Sequence, residues 1–217
     1  GTLSLNGAAV EASNGPRNIL NPIVISAFST IAGSENLRLA GPITTNLGAS
    51  LVKCGVGELT IAGPQTPAAG TALFANAGMV YLDSSATGST LSINVNNAGT
   101  AVYFDADQDL ATLAVNGGRV GVSTSTMLAA SNASFDANAV LQLEIGGLLA
   151  GHDAAQLLVS GNATLGGTLD LELVDGFIPS IGQVFSLLSA GNVNYQFDTE
   201  LFPSLPGVGF DLVYTPT

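Results

Sequence analysis

Positive charge is almost missing from this chain. Arg17, Arg38, Lys53 and Arg119 are its only basic residues besides one histidine, against 16 acidic ones, for a formal net charge of −12 over 217 residues. Four scattered cations cannot form the basic stripe that a phosphate backbone demands, which excludes nucleic acid as an expected partner. They speak equally against an anionic membrane surface. Charge of either sign is scarce: charged residues make up 9% of the chain, where soluble domains average about 25%. Long apolar runs are missing too. Hydrophobic residues reach 47%, yet no stretch approaches the roughly 18 uninterrupted apolar residues of a membrane-spanning helix. Tryptophan is absent and cysteine occurs once, so an internal disulfide framework is excluded. The opening "GTLSLNGAAVEASNG" has neither the basic start nor the apolar run of a signal peptide. Any secretory leader is therefore expected outside these residues.

What is present is strand after strand. Segments such as "NPIVISA", "GELTIAG", "GMVYLD", "STLSINV", "AVLQLEI" and "ATLGGTLDLELVDG" alternate apolar with small polar residues and close on Gly, Asn, Asp or Pro. Alternation at period two puts Leu59 and Ile61 on one face and Glu58 and Thr60 on the other. No window carries a convincing helical stripe, and "STMLAASNASF" at 125–135 reads as a loop with a strand. The chain is therefore expected to be all-β. Short strands, glycines at the bends and small residues where rungs would stack favour a β-solenoid, a parallel β-helix-like coil, over residues 1–140. A β-rich cap module with antiparallel pairs is expected over 141–217. Leu141, Leu143, Ile145, Leu157, Val159, Leu169, Leu171 and Leu173 are its expected buried positions. Charge divides along the same lines. Residues 1–104 hold Glu11, Glu35, Glu58 and Asp83 against three of the basic residues, whereas the other twelve acids share 105–217 with Arg119.

"LVKCGVGELTIAG" resembles the Leu-x-Lys-x-Gly-x-Gly-x-Leu-x-Leu-x-Gly motif of the bacterial autotransporter-associated β-strand repeat. Leu51, Lys53, Gly55, Gly57, Leu59, Ile61 and Gly63 stand at its positions in register. The flanks "NGPRNILNPIVIS" and "NLRLAGPI" look like the segments that precede the motif in large surface proteins. "LQLEIGGLLAGHDAAQLLVSGNATLGGTLDLELVDGFIPSIGQVFSLLSAGNV" looks like their C-terminal module. The resemblance implies a secreted or cell-surface bacterial protein, of a type common in planctomycetes and in bacteria that use a short C-terminal sorting anchor. Ala155, where that family often has a second acid, departs from the pattern and weakens any metal or sugar site there.

Few residues offer chemistry. Cys54 replaces the small polar residue usual at its motif position. The only histidine, His152, is about a hundred residues away, so a Cys–His pair would depend on the fold. An interchain disulfide is the second reading of Cys54, and an inert substitution is the expected one. His152 with Asp153 and a serine would make a triad, but the G-x-S-x-G elbow is absent and neighbouring side chains in an extended segment diverge. Asp105, Asp107 and Asp109 in "FDADQDL" alternate, so on one strand they would share a face able to hold calcium. Leu110 and Asn116 stand where an EF-hand needs Gly and Glu, and solvated surface is the default expectation. Asn132-Ala-Ser134 and Asn162-Ala-Thr164 match the glycosylation sequon. In a bacterial protein the match is expected to be chance.

No catalytic, cofactor-binding or metal residue is therefore assigned. The expected function is a non-catalytic extracellular structural protein whose copies assemble head to tail through β-strand contacts. "GTLSLNGAAVEA" would donate a strand and "FDLVYTPT" would close the other end with one. Extracellular polysaccharide and other surface proteins are further expected partners. The alternative is a carbohydrate-active or carbohydrate-binding β-helix module, which needs paired carboxylates in a cleft or stacked aromatics.

Overall fold

A strand of three to five alternating residues cannot bury its apolar side alone, so this chain winds and stacks like strands on one another. The computed structural model describes residues 1–86, 88 and 90–215. Its first coil is β1 (Leu3–Leu5), β2 (Ala9–Glu11) and β3 (Arg17–Ile19); the second is β4 (Ile23–Ile25), β5 (Ser29–Ala32) and β6 (Leu37–Leu39). Then come β7 (Ile43–Thr45), β8 (Ser50–Lys53) and β9 (Leu59–Ile61), and β10 (Gln65–Pro67), β11 (Thr71–Ala75) and β12 (Met79–Leu82). From here each coil has two strands: β13 (Leu91–Val95) and β14 (Ala101–Phe104), β15 (Gln108–Val115) and β16 (Gly118–Val122), β17 (Met127–Phe135) and β18 (Ala139–Ile145). The last are β19 (Gln156–Thr164) and β20 (Thr168–Leu173), then β21 (Leu188–Asn194) and β22 (Thr199–Leu201). The protein is an all-β parallel solenoid, with strands over 51% of it and no helix among the described residues.

Three faces result. The first is the four-stranded sheet β1-β4-β7-β10; the second and third are nine-stranded, running β2 to β21 and β3 to β22. At 4.7–4.9 Å per strand the nine-stranded faces extend about 38 Å. The first face does not stop at β10. Gln65 bridges to Ala86, whose carbonyl accepts from the Asp109 amide at the start of β15. In β15, β17 and β19 the first and second faces have fused into one strand of 8 or 9 residues, broken by a register shift at the corner. Residues 125–135 thus contain the whole of β17, where a loop with a strand was expected. A bulge bends a strand without ending it, which lets one element turn the corner.

The core is a set of ladders. Leu39, Ile61, Leu82, Phe104, Val122, Leu143 and Leu171 lie beside one another on the third face, none more than 6% exposed. Of the expected core positions after 140, all but Leu173 are buried, and Leu173 is half-buried. The expected antiparallel pairs are not there. The ladders of β18 to β22 are parallel, and antiparallel contact among the described residues is confined to the single bridges Ile145–Ala154 and Leu205–Val208. Each strand there follows a full circuit of the coil, so it arrives beside its predecessor in the same direction.

The segment "FDLVYTPT" also differs from expectation. Residues 210–215 form no strand, and Pro216 and Thr217 lie outside the described residues. Phe202, Leu212 and Tyr214 pack against the core, and the Tyr214 hydroxyl accepts from the Phe197 amide at 3.1 Å. Partial burial of Leu212 and Tyr214 against the core holds the segment in this course.

Candidate functional site

The repeat-like motif makes a corner. Leu51, Leu59 and Ile61 point into the core. Lys53 is 1% exposed, and its Nζ donates to the carbonyls of Gly55 at 2.7 Å, Ala77 at 3.1 Å and Cys54 at 3.3 Å. Burial pushes its ammonium below the ordinary lysine range. Gly55 turns with φ +82°, and a Cβ on Gly63 would overlap the Gly41 carbonyl one coil earlier. The motif is a clamp that holds two coils at a tight turn.

The residues singled out for chemistry are scattered. Cys54 is half-buried with a free thiol. It leaves β8, whereas His152 precedes β19, five strand steps along the second face, so about 24 Å of stacked strands separates them. His152 Nδ1 lies 2.5 Å from Asp153 Oδ1, contrary to the expected divergence, because residues 151–153 form a turn rather than an extended segment. The pair is exposed on the loop between β18 and β19. Asp105, Asp107 and Asp109 do not share a face, because the chain rounds a corner between them. Asp105 sits at the end of β14 beside Asp83 and Ser123. Asp107 accepts from the Met127 amide at 2.8 Å, and Asp109 lies in β15. Gln108, between them, is buried, donating to Ser84 and Ala106 and accepting from the Ala86 amide. Among the described residues no three His, Cys, Asp or Glu side chains are grouped to hold a metal. Asn132 and Asn162 stand in a polar ladder with Asn192: the Asn132 side-chain oxygen accepts from the Asn162 amide at 3.0 Å, and Asn192 Nδ2 donates to Asn162 at 3.2 Å.

The densest constellation lies on the outside of the third face. Its central outward column reads Arg38, Thr60, Tyr81, Tyr103, Gly121, Gln142 and Asp170. Tyr81 and Tyr103 stack with ring centroids 5.0 Å apart. Arg119 reaches across to Gln142 and Asp170, both at 2.7 Å, and Arg38 pairs with Asp83 at 2.9 Å. Beside this column Asp83, Asp105, Ser123, Glu144 and Glu172 occur on successive coils. Burial, with Asp83 close by, holds the Asp105 carboxyl above the ordinary range, against the pull of the Ser123 hydroxyl. Burial raises Glu144 too; the Thr124 amide works in the opposite sense, while Glu172, Asp105 and Asp175 reinforce the rise. A small notch opens between Tyr103 and Asp105 on one side and Gln142 and Glu144 on the other. A larger open groove of about 300 Å³ follows the first face past Asp109, Ala129, Leu158 and Ser189.

The tyrosine pair carries no motif, and the sequence marks coil length only through a separate asparagine recurrence. Tyr81 and Tyr103 are one coil apart, and Asn76, Asn96 and Asn116 recur every 20 residues, which places them in a hydrogen-bonded ladder of 2.7 and 3.0 Å. No protein-family model, curated protein or solved structure matches the chain. The ladders and corners define its class as a repeat β-helix, a parallel β-solenoid.

Proposed function

We propose that this chain is a non-catalytic structural module of a secreted or cell-surface bacterial protein, of the autotransporter-associated β-strand repeat type, whose copies associate at the strand edges of the solenoid. The observation that carries the reading is the task each motif residue performs. Lys53, Gly55 and Gly63 serve the stacking of coils, and Leu51, Leu59 and Ile61 the core, so the part of the sequence with a family likeness is spent on building a rod. The lining of the larger groove supplies one carboxylate, Asp109, where glycoside hydrolysis uses two.

The edges favour one end for association. The Leu3 amide and Leu5 carbonyl turn toward the second coil, as do the Arg17 amide and Ile19 carbonyl. The alternation of a parallel ladder then aims the Ser4 and Asn18 peptide groups outward, where a further strand can pair. At the other end the chain runs on past β22, with Phe202, Leu212 and Tyr214 packed against the core. Light scattering and negative-stain microscopy at increasing concentration test this: association that falls away when Ser4→Pro and Asn18→Pro remove the outward amide donors is expected. A monodisperse 21.7 kDa particle at high concentration would defeat the self-association, and release of reducing sugar from polysaccharides would defeat the non-catalytic reading.

A further inference from the structure

We propose that copies of this chain stack head to tail with β3 of one paired to β22 of the next, so that Arg17 and Glu200 meet across the junction. The inference rests on the edge association proposed above and names its partner strands and register.

One inward ladder of the third face carries a charge at each end. Between the ends it runs Leu37, Leu59, Val80, Val102, Val120, Leu141 and Leu169, all buried. Arg17 stands in that ladder one coil before Leu37, and Glu200 one coil after Leu169. Turning either charge alone into the apolar column would cost far more than leaving it in solvent, and both residues are exposed. Stacking unlike ends sets the two side by side at one strand spacing, where opposite charges attract. Pairing like ends would instead leave each edge without an opposite charge.

The other basic residues are engaged. Lys53 is buried on three carbonyls, and Arg38 and Arg119 hold Asp83 and Asp170. Arg17 donates only to the carbonyls of its own turn, Pro16 at 3.2 Å and Asn14 at 3.5 Å. Among the described residues neither Arg17 nor Glu200 takes part in an ion pair.

The backbone agrees with this register. The Arg17 amide is turned to its own second coil and the Thr199 amide to the coil before it. Asn18 on one edge and Glu200 on the other therefore present their peptide groups outward. With Arg17 beside Glu200, the Asn18 N–H meets the Glu200 carbonyl and the Glu200 N–H meets the Pro16 carbonyl. Proline has no N–H to offer, and here only its carbonyl is needed. Two residues further along each strand, Ile19 comes opposite Phe202, both half-buried hydrophobics at an end of the core. The segment beyond β22 leaves Thr199, Glu200 and Leu201 exposed. A contact between unlike ends along the coil axis propagates into a rod.

Sedimentation velocity of the whole chain over a concentration series tests the junction, with circular dichroism to check that each variant keeps the parent's fold. Arg17→Glu and Glu200→Arg should each weaken association about tenfold or more, because each replaces attraction by repulsion. Combining both exchanges in one chain should restore the parent's association. Mixing the two single variants should restore it as well, since each supplies the end that complements the other. Arg17→Glu adds negative charge and Glu200→Arg removes it, so an effect of net charge alone would move the two in opposite directions and overturn the pairing. Losses that neither the double exchange nor the mixture repairs would overturn it too. Equal association of the parent and both single variants would overturn the register while leaving edge association in place. A parent chain that stays monomeric would overturn edge association and the register with it.

Discussion

The coils before residue 140 and those after it share a core but differ at their corners. Before 140 a circuit is short: Leu3, Ile23, Ile43 and Gln65 succeed one another on the first face in steps of 20, 20 and 22 residues. After it, Leu128, Leu157 and Leu188 are separated by 29 and 31. The inward ladders do not register the change, since Leu143 and Leu171 lie beside each other as Leu39 and Ile61 do. The extra residues all leave the coil at one corner, in loops 146–155 and 174–187. These loops carry their own small structures. The Leu149 carbonyl accepts from the His152, Asp153 and Ala154 amides, and Phe177 meets Phe185 edge to face at 6.0 Å. They also expose Leu148, Leu149, Ile178, Ile181 and Val184. The length of a coil is therefore set at its corners, while the core sets only the spacing of the strands.

The sharpest way to break the comparison is to add the same methyl group to a corner of each kind. Gly63 has a backbone carbonyl where its Cβ would go, and Gly176, at φ +70°, has nothing within 4 Å. Gly63→Ala is expected to cost about 3 kcal/mol, because two coils must part. Gly176→Ala should cost only about 1 kcal/mol of backbone strain. Urea unfolding of the two variants measures both, and equal losses would refute a corner-controlled coil length. Next in size is Lys53→Met. It leaves buried carbonyls of Gly55 and Ala77 without their donor, and a loss of about 2 kcal/mol is expected in the same assay.

A smaller effect follows from the acidic column. Asp105 and Glu144 have folded-state values raised above the ordinary carboxylate range, so within that window the folded chain binds more protons than the unfolded one. Stability should rise as pH falls through the window and drop as pH rises through it. Solvent screening keeps each contribution under about 1 kcal/mol. The Asp105→Asn, Glu144→Gln double variant should show a flatter profile in pH-dependent thermal melts. A profile as steep as the parent's would place the proton uptake elsewhere. The least effect is expected from His152→Ala and Cys54→Ser, each within about 0.5 kcal/mol of the parent chain, since neither side chain supports a coil. A melting temperature markedly lowered in either would show a structural contact at these positions.

Much of the fold was legible along the chain because strand alternation and corner glycines are local. Leu59 and Ile61 turn inward whatever lies on the next coil, and "LVKCGVGELTIAG" announces a corner by its spacing. The candidate sites were less legible. Tyr81, Tyr103, Gly121 and Gln142 form one column only because their coils take 22, 18 and 21 residues, and no local pattern records those lengths. Asp105, Asp107 and Asp109 show the converse: their even spacing holds on a straight strand and fails where the chain bends between β14 and β15. Sequence by itself determined that the chain is all-β, that it stacks, and which side chains face inward, because hydrophobic burial acts on each strand separately. The tertiary structure alone decided which outward side chains meet across coils, because a hydrogen-bonded ladder between residues some 20 or 30 apart sets that register.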